Sequence, residues 1–196
     1  MIFPTEQIKT DRKAETAAFG FWLYLMTDLI MFAALFAAYA VLQRNTFGGP
    51  SGQEIFSLPY VLAETLILLT SSFTCGMAVL ALEQSAARRV GAWLAATFAL
   101  GAAFLLMELS EFGRLLAEGA GPQRSAFLSS YFTLVGAHGL HIAIGLLWLI
   151  FALIMLARRG LKPHLSSQIR RLALFWHFLD LVWIFIFTTV YLRGLL

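Results

Sequence analysis

The sequence has 196 residues, of which 60% are hydrophobic and 13% charged, with a mean hydropathy of +0.79. That leaves too little polar surface for a soluble domain of this size. The net charge of +3 calls for no nucleic acid, since positive loops over an anionic lipid leaflet account for it.

The first apolar run, Ala17–Leu42, is long enough to cross a bilayer, which takes about 20 residues of helix. It follows a polar segment, residues 1–16, and is too long for a signal-peptide core, so it reads as a retained span carrying Asp28. The connection Gln43–Ser57 contains "NTFGGPSG", turn-rich and without periodicity. The second run, Leu58–Leu82, carries Glu64 and the only cysteine, Cys75. One thiol can form no intramolecular disulfide and hold no iron–sulfur cluster, so Cys75 reads as a small buried hydrophobe. The third run, Val90–Leu116, carries Glu108 and Glu111. The fourth, Ala126–Leu156, carries His138 and His141, and the fifth, Leu172–Leu192, carries His177 and Asp180. These runs predict an all-α polytopic membrane protein, with an N-terminal segment 1–16 and one five-helix transmembrane domain over 17–196. Short connections make neighbouring helices antiparallel.

Ten of the fourteen basic residues fall on one side: Lys9, Arg12, Lys13, Arg88, Arg89, Arg158, Arg159, Lys162, Arg170 and Arg171. The positive-inside rule then places the N-terminus in the cytoplasm and the C-terminus outside. Helix packing in lipid favours small residues. The third run has Gly91, Ala95, Ala99 and Ala103 at four-residue spacing, a packing stripe over three turns. Weaker stripes pair Ala33 with Ala37, Ala34 with Ala38, and Gly139 with Ala143.

Ionisable side chains inside spans are expensive and each calls for a role. The pairs Glu108 with Glu111, His138 with His141, and His177 with Asp180 are three apart, which puts both members on one helix face. A bundle metal centre would pair Glu-x-x-His motifs across helices, and no helix here carries one. Glu108 and Glu111 also fall at a different depth from His177 and Asp180. His138 and His141 share one face and cannot clamp a haem between them. A proton or ion pathway stays open, though the spans show neither clear repeats nor broken helices. The remaining reading is hydrogen bonding between helices, worth about 0.6 kcal/mol per bond on average. On this reading His177 and Asp180 bond across to the first or fourth helix and lock the rotation of the fifth, with Trp176 and Trp183 packing on either side.

"FWLYLMTDLIMFAALFAAY", "ETLILLTSS", "MELSEF", "HGLHIAIGLLW" and "FWHFLDLVWIFIFTTVYLRG" occur in that order in the five runs. Together they resemble subunit III of the haem–copper terminal oxidases. "GGPSGQEIFSLPYVLAET" narrows the likeness to the cytochrome o (bo-type) ubiquinol oxidase subunit III of bacteria. The resemblance implies a bundle in two helix groups with a lipid cleft between them. It implies a non-catalytic subunit that supports assembly, lipid binding and sustained proton uptake, with haem and copper in the partner subunit I and none in this chain. The implied partners are subunit I directly, subunit II and a small subunit IV in the same complex, and membrane lipids, including a bound phospholipid. The implied location is the bacterial inner membrane. The matching buried or cleft positions are Asp28, Glu64, Glu108, Glu111, His138, His141, His177 and Asp180, and Arg158 and Arg159 are headgroup contacts. Asp28 stands where mitochondrial relatives carry Glu, and the two extra N-terminal helices of the larger relatives are lacking. The alternatives are subunit III of a cytochrome c oxidase and, further off, a free-standing proton-linked transporter.

Overall fold

The computed structural model describes the backbone of residues 4–194 and the side chains of residues 16–194. Of the expected N-terminal segment, residues 1–3 lie outside the described residues, and the backbone from Pro4 already belongs to the first helix. The elements are α1 (Pro4–Leu42), α2 (Gly52–Ile55), α3 (Leu58–Glu83), α4 (Ala87–Ala117), α5 (Ala126–Arg159) and α6 (Pro163–Ile186). A π-helical segment, Phe187–Leu192, continues α6. Five helical stretches are long and apolar enough to cross a membrane: Thr16–Leu42, Leu58–Glu83, Ala87–Ala117, Ala126–Arg159 and Pro163–Leu192.

Local chemistry sets the ends. Pro59 and Pro163 sit in the first turns of α3 and α6, where a missing N–H costs nothing. Ser125 caps α5 by accepting the Leu128 N–H at 3.1 Å. Gly160 stops α5 with φ 66°, a backbone region that suits glycine. The fifth span begins nine residues before the expected Leu172, at Pro163. Its polar first turns are helical because Leu165, Ile169 and Leu172 already form a buried face at helical spacing. The connection after α1 also holds more than turns. The one-turn α2 is fixed by the Ser51 N–H donating to the Glu54 carboxylate at 3.0 Å.

The helices α3, α4, α5 and α6 form one block, in which α3 and α4 make the closest pair, and α1 lies against α5 and α6. Apolar grooves of about 190 and 440 Å³ run between α1 and the α6–π helix, walled by Phe32, Phe36, Phe178 and Phe185.

The packing faces differ from the expected small-residue stripes. Ala95 and Ala99 are exposed, as are Ala33, Ala34, Ala37 and Ala38. The buried face of α4 is Val90, Leu94, Thr97, Gly101, Phe104, Glu108, Glu111 and Leu115, in alternating steps of four and three. That spacing is the seam of a left-handed helix pair. On α1 the inward residues are Leu25, Asp28, Phe32 and Tyr39. Close approach comes from other small residues, Gly101 and Gly145, which make room for the Trp176 ring. A Cβ on Gly101 would stand 2.6 Å from that ring, and one on Gly145 2.8 Å. Gly139 is buried as its predicted role requires, and Cys75 is buried.

Candidate functional site

The polar residues singled out from the sequence gather into three places. The largest lies between α3, α4 and α5, toward the end of the block that carries α2. Glu64 on α3, Glu108 and Glu111 on α4, and His138 on α5 are all buried, Glu64 and His138 completely. The Glu111 Oε2 accepts hydrogen bonds from the Tyr131 hydroxyl at 3.2 Å and the Tyr191 hydroxyl at 3.1 Å. These two hydroxyls are 3.0 Å apart, so α4, α5 and the π segment meet at one oxygen. The π turn sets this up. Its wider spiral delays the helix by about one residue, so Tyr191 turns inward beside Val190. Phe56, just after α2, covers the cluster with its ring 4.7 Å from Tyr191 and 5.2 Å from Tyr131.

Below this lid, the Glu108 carboxyl occupies the space that Gly139 leaves open. His138 stacks on Trp183 at 5.2 Å and meets the edge of Phe104 at 5.9 Å. Among the described residues, neither ring nitrogen of His138 and neither carboxyl oxygen of Glu64 has a hydrogen-bond partner. The same holds for Glu108 Oε2 and Glu111 Oε1. The nearest cation is Arg114, whose Nη2 is 3.9 Å from Glu111 Oε1 and donates to the Ile55 carbonyl at 3.1 Å.

The second place joins α1 to α5. His141 Nε2 lies 3.7 Å from Asp28 Oδ2, and its Nδ1 is 2.7 Å from the Ala137 carbonyl oxygen. The Tyr24 hydroxyl lies near the same Asp28 carboxyl. The two histidines of α5 thus point to different partners, His138 inward and His141 toward α1.

The third place answers to His177 and Asp180, and corrects the expectation for them. His177 Nδ1 lies 2.7 Å from the Ser72 hydroxyl on α3, the second span, and the Asp180 carboxyl lies near the same hydroxyl. Neither the first nor the fourth span is the partner. The reason is that α6 packs against α3, and Gly76 leaves room for the His177 ring, whose Cε1 would touch a Cβ there at 4.0 Å. His177 itself is exposed at the side of the block, whereas Asp180 is buried. Arg158 and Arg159 are exposed at the end of α5.

Sequence reasoning missed the hydroxyl partners. Trp176 donates to Ser71 at 3.1 Å and Trp183 donates to Thr65 at 3.1 Å, both on α3. Ser71 in turn donates to the Thr97 carbonyl at 3.0 Å, and the Thr74 and Thr97 hydroxyls are 2.9 Å apart. The signal was present in the hydroxyls at Thr65, Ser71, Ser72 and Thr74, which interrupt the second apolar run. Among the described residues, no three His, Cys, Asp or Glu side chains form a group that could hold a metal ion. The arrangement ties helices together and keeps carboxyl and imidazole groups deep inside the block.

Comparison with known proteins gives a consistent result. A family profile described as cytochrome c oxidase subunit III matches residues 8–195. The chain is 58% identical to a protein of Pseudomonas aeruginosa named cytochrome bo(3) ubiquinol oxidase subunit 3, over 91% of this chain and 85% of the relative. It is 54% identical to the protein of that name from Pseudomonas putida, over 90% and 86%. It is 47% identical to quinol oxidase subunit 3 of Bacillus spizizenii, over 90% and 86%.

Proposed function

Since the chain belongs to the cytochrome c oxidase subunit III family, we propose that it serves as the accessory third subunit of a bacterial proton-pumping ubiquinol oxidase. The observation that carries this reading is the 58% identity, across nine-tenths of the chain, to a protein named as that subunit. The complex oxidises quinol and reduces oxygen to water. Haem and copper belong to the partner subunit I, and this chain packs beside it. Subunit II and a small subunit IV complete the assembly.

The buried polar clusters support a role in holding the bundle in one arrangement. Each joins separate helices: α3 to α6 through Ser72 and His177, α1 to α5 through Asp28 and His141, and α4 to α5 and the π segment through Glu111. The apolar grooves beside α1 have the width and lining for acyl chains of a bound phospholipid. Arg158 and Arg159, exposed at a helix end, suit lipid phosphates. The excess of Lys and Arg near that end supports a cytoplasmic N-terminus and a periplasmic C-terminus in the inner membrane. A place in a cytochrome c oxidase is the weaker reading, because the relatives described above are named as quinol oxidase subunits. Membership of this family also argues against a free-standing transporter.

The test is purification through a tag on this chain, in mild detergent, with a reduced-minus-oxidised spectrum and oxygen uptake recorded on the sample. Haem bands that co-purify with larger chains, and uptake driven by quinol, are expected. Uptake driven only by cytochrome c would move the chain to the other oxidase. A colourless chain that purifies alone would end the oxidase reading.

A further inference from the structure

The carboxyl cluster contains more buried hydrogen-bonding capacity than the protein satisfies. Six atoms there have no hydrogen-bond partner among the described residues: both oxygens of Glu64, Glu108 Oε2, Glu111 Oε1 and both ring nitrogens of His138. All four side chains are at most 2% exposed. Buried polar groups left unpaired in this way cost more than the interhelical bonds described above return. Buried water is the usual partner for such groups, and each molecule makes about three hydrogen bonds. The cluster offers that number of acceptors and donors, because Glu64 and Glu111 are neighbours of Glu108.

A route from the surface leads to the same residues. A cleft of about 220 Å³ opens near the α2 end of the block, lined by Ser57, Tyr60, Ser110, Glu111 and Arg114. Glu111 lines this cleft, and its carboxyl is the one that the Tyr131 and Tyr191 hydroxyls anchor. The other buried polar groups of the cluster are Glu64 from α3, Glu108 from α4 and His138 from α5, whose ring packs against Phe32 of α1, Phe104 of α4 and Trp183 of α6. His138 stands about 18 Å along α5 from its start at Ala126.

We propose that Glu64, Glu108, Glu111 and His138 form an internal water-binding site that exchanges protons, through the Tyr60–Arg114 cleft, with the compartment facing the α2 end. The water molecules bridge the unpaired oxygens and ring nitrogens, and the Tyr131 and Tyr191 hydroxyls anchor the chain at Glu111. A proton entering at Glu111 passes along the bridging water to Glu108 and His138 and returns by the same path, so no bond other than O–H or N–H is made or broken. This inference goes beyond assignment to an oxidase.

Two measurements on the intact complex, purified through this chain, test it. In a high-resolution electron density map, ordered water peaks are expected between Glu64, Glu108 and His138. A cluster filled by protein atoms, or a dry one, would overturn the proposal. In the second, infrared bands of the cluster are assigned by their loss in Glu64→Gln and Glu108→Gln, then followed after transfer to D2O. They are expected to shift, and to shift more slowly, by roughly tenfold or more, in Ser110→Trp, which plugs the cleft mouth. Ser57→Phe narrows the same mouth from α3 and replaces Ser110→Trp if that variant fails to assemble. Unchanged exchange in an assembled plug variant, or bands that never shift in the unmodified complex, would show that the cluster is sealed from this cleft.

Discussion

Glu108 and Gly139 share one space: a methyl carbon on Gly139 would stand 2.5 Å from the nearer Glu108 oxygen and 3.0 Å from the other. Gly139→Ala therefore overpacks the buried Glu108 carboxyl and forces the end of that side chain to shift. The expected loss is about 1–3 kcal/mol, read as a lower melting temperature of the purified complex. Glu108→Ala in the same chain removes the clash, so the double variant is expected to melt above Gly139→Ala alone. A double variant as unstable as the sum of both single changes would mean that the two side chains do not compete.

Trp176 presents the same geometry at a larger scale. Its ring fills the gap bounded by Gly101 on α4 and Gly145 on α5 and donates to Ser71 on α3. Trp176→Ala empties the centre of the block, at an expected cost of about 3–5 kcal/mol. Gly145→Ala by itself is also destabilising, and Trp176→Phe is expected to recover part of that loss. Thermal unfolding of the complexes, followed by tryptophan fluorescence or by release of this subunit, measures each step.

The Ser72 and His177 pair is expected to contribute modestly, about 0.6 kcal/mol, as polar bonds between membrane helices do on average. Ser72→Ala, His177→Phe and the double variant form a thermodynamic cycle. Non-additive losses are expected, because both single changes remove the same 2.7 Å contact. Strict additivity would show that the contact carries no energy.

How much of this was readable beforehand follows from the solvent. Every span was visible in the sequence, because crossing lipid demands a long apolar helix, and that demand leaves its mark in composition. The inward faces were harder. In water, apolar residues mark the interior, but in lipid both faces of α4 are apolar and the contrast disappears. The stripe of Ala95 and Ala99 looked like a seam and is exposed, while the true seam passes through Phe104, Glu108 and Glu111. Polar residues carried the better signal. Asp28, Glu64, Glu108, Glu111, His138 and Asp180 are all buried, whereas His141 is half-buried, and His177 is exposed and bonds to a different helix from the expected ones. The π segment was not legible, since Thr188 and Thr189 bonding back to Ile184 and Phe185 at 2.8 and 2.7 Å is ordinary in membrane helices.

Arg158 and Arg159 end α5 in an exposed position and are expected to hold lipid phosphate rather than protein. Replacing both with Ala should leave the complex assembled and lower the anionic phospholipid that co-purifies with it. Lipid mass spectrometry on matched preparations measures this. Unchanged lipid content would remove these two side chains from the headgroup contacts.

Chain order adds a constraint on how the molecule is made. Glu64, Glu108 and Glu111 all belong to the α3–α4 hairpin, whereas Tyr131, His138 and Tyr191 come from segments synthesised later. As the chain is built from its N-terminus, three acids reach the bilayer before the hydroxyls that will anchor one of them exist. Until α5 and the π segment arrive, these acids stand in the hairpin without the hydroxyls that later anchor Glu111. The polar centre of the finished subunit is, in this sense, also a timer on its assembly.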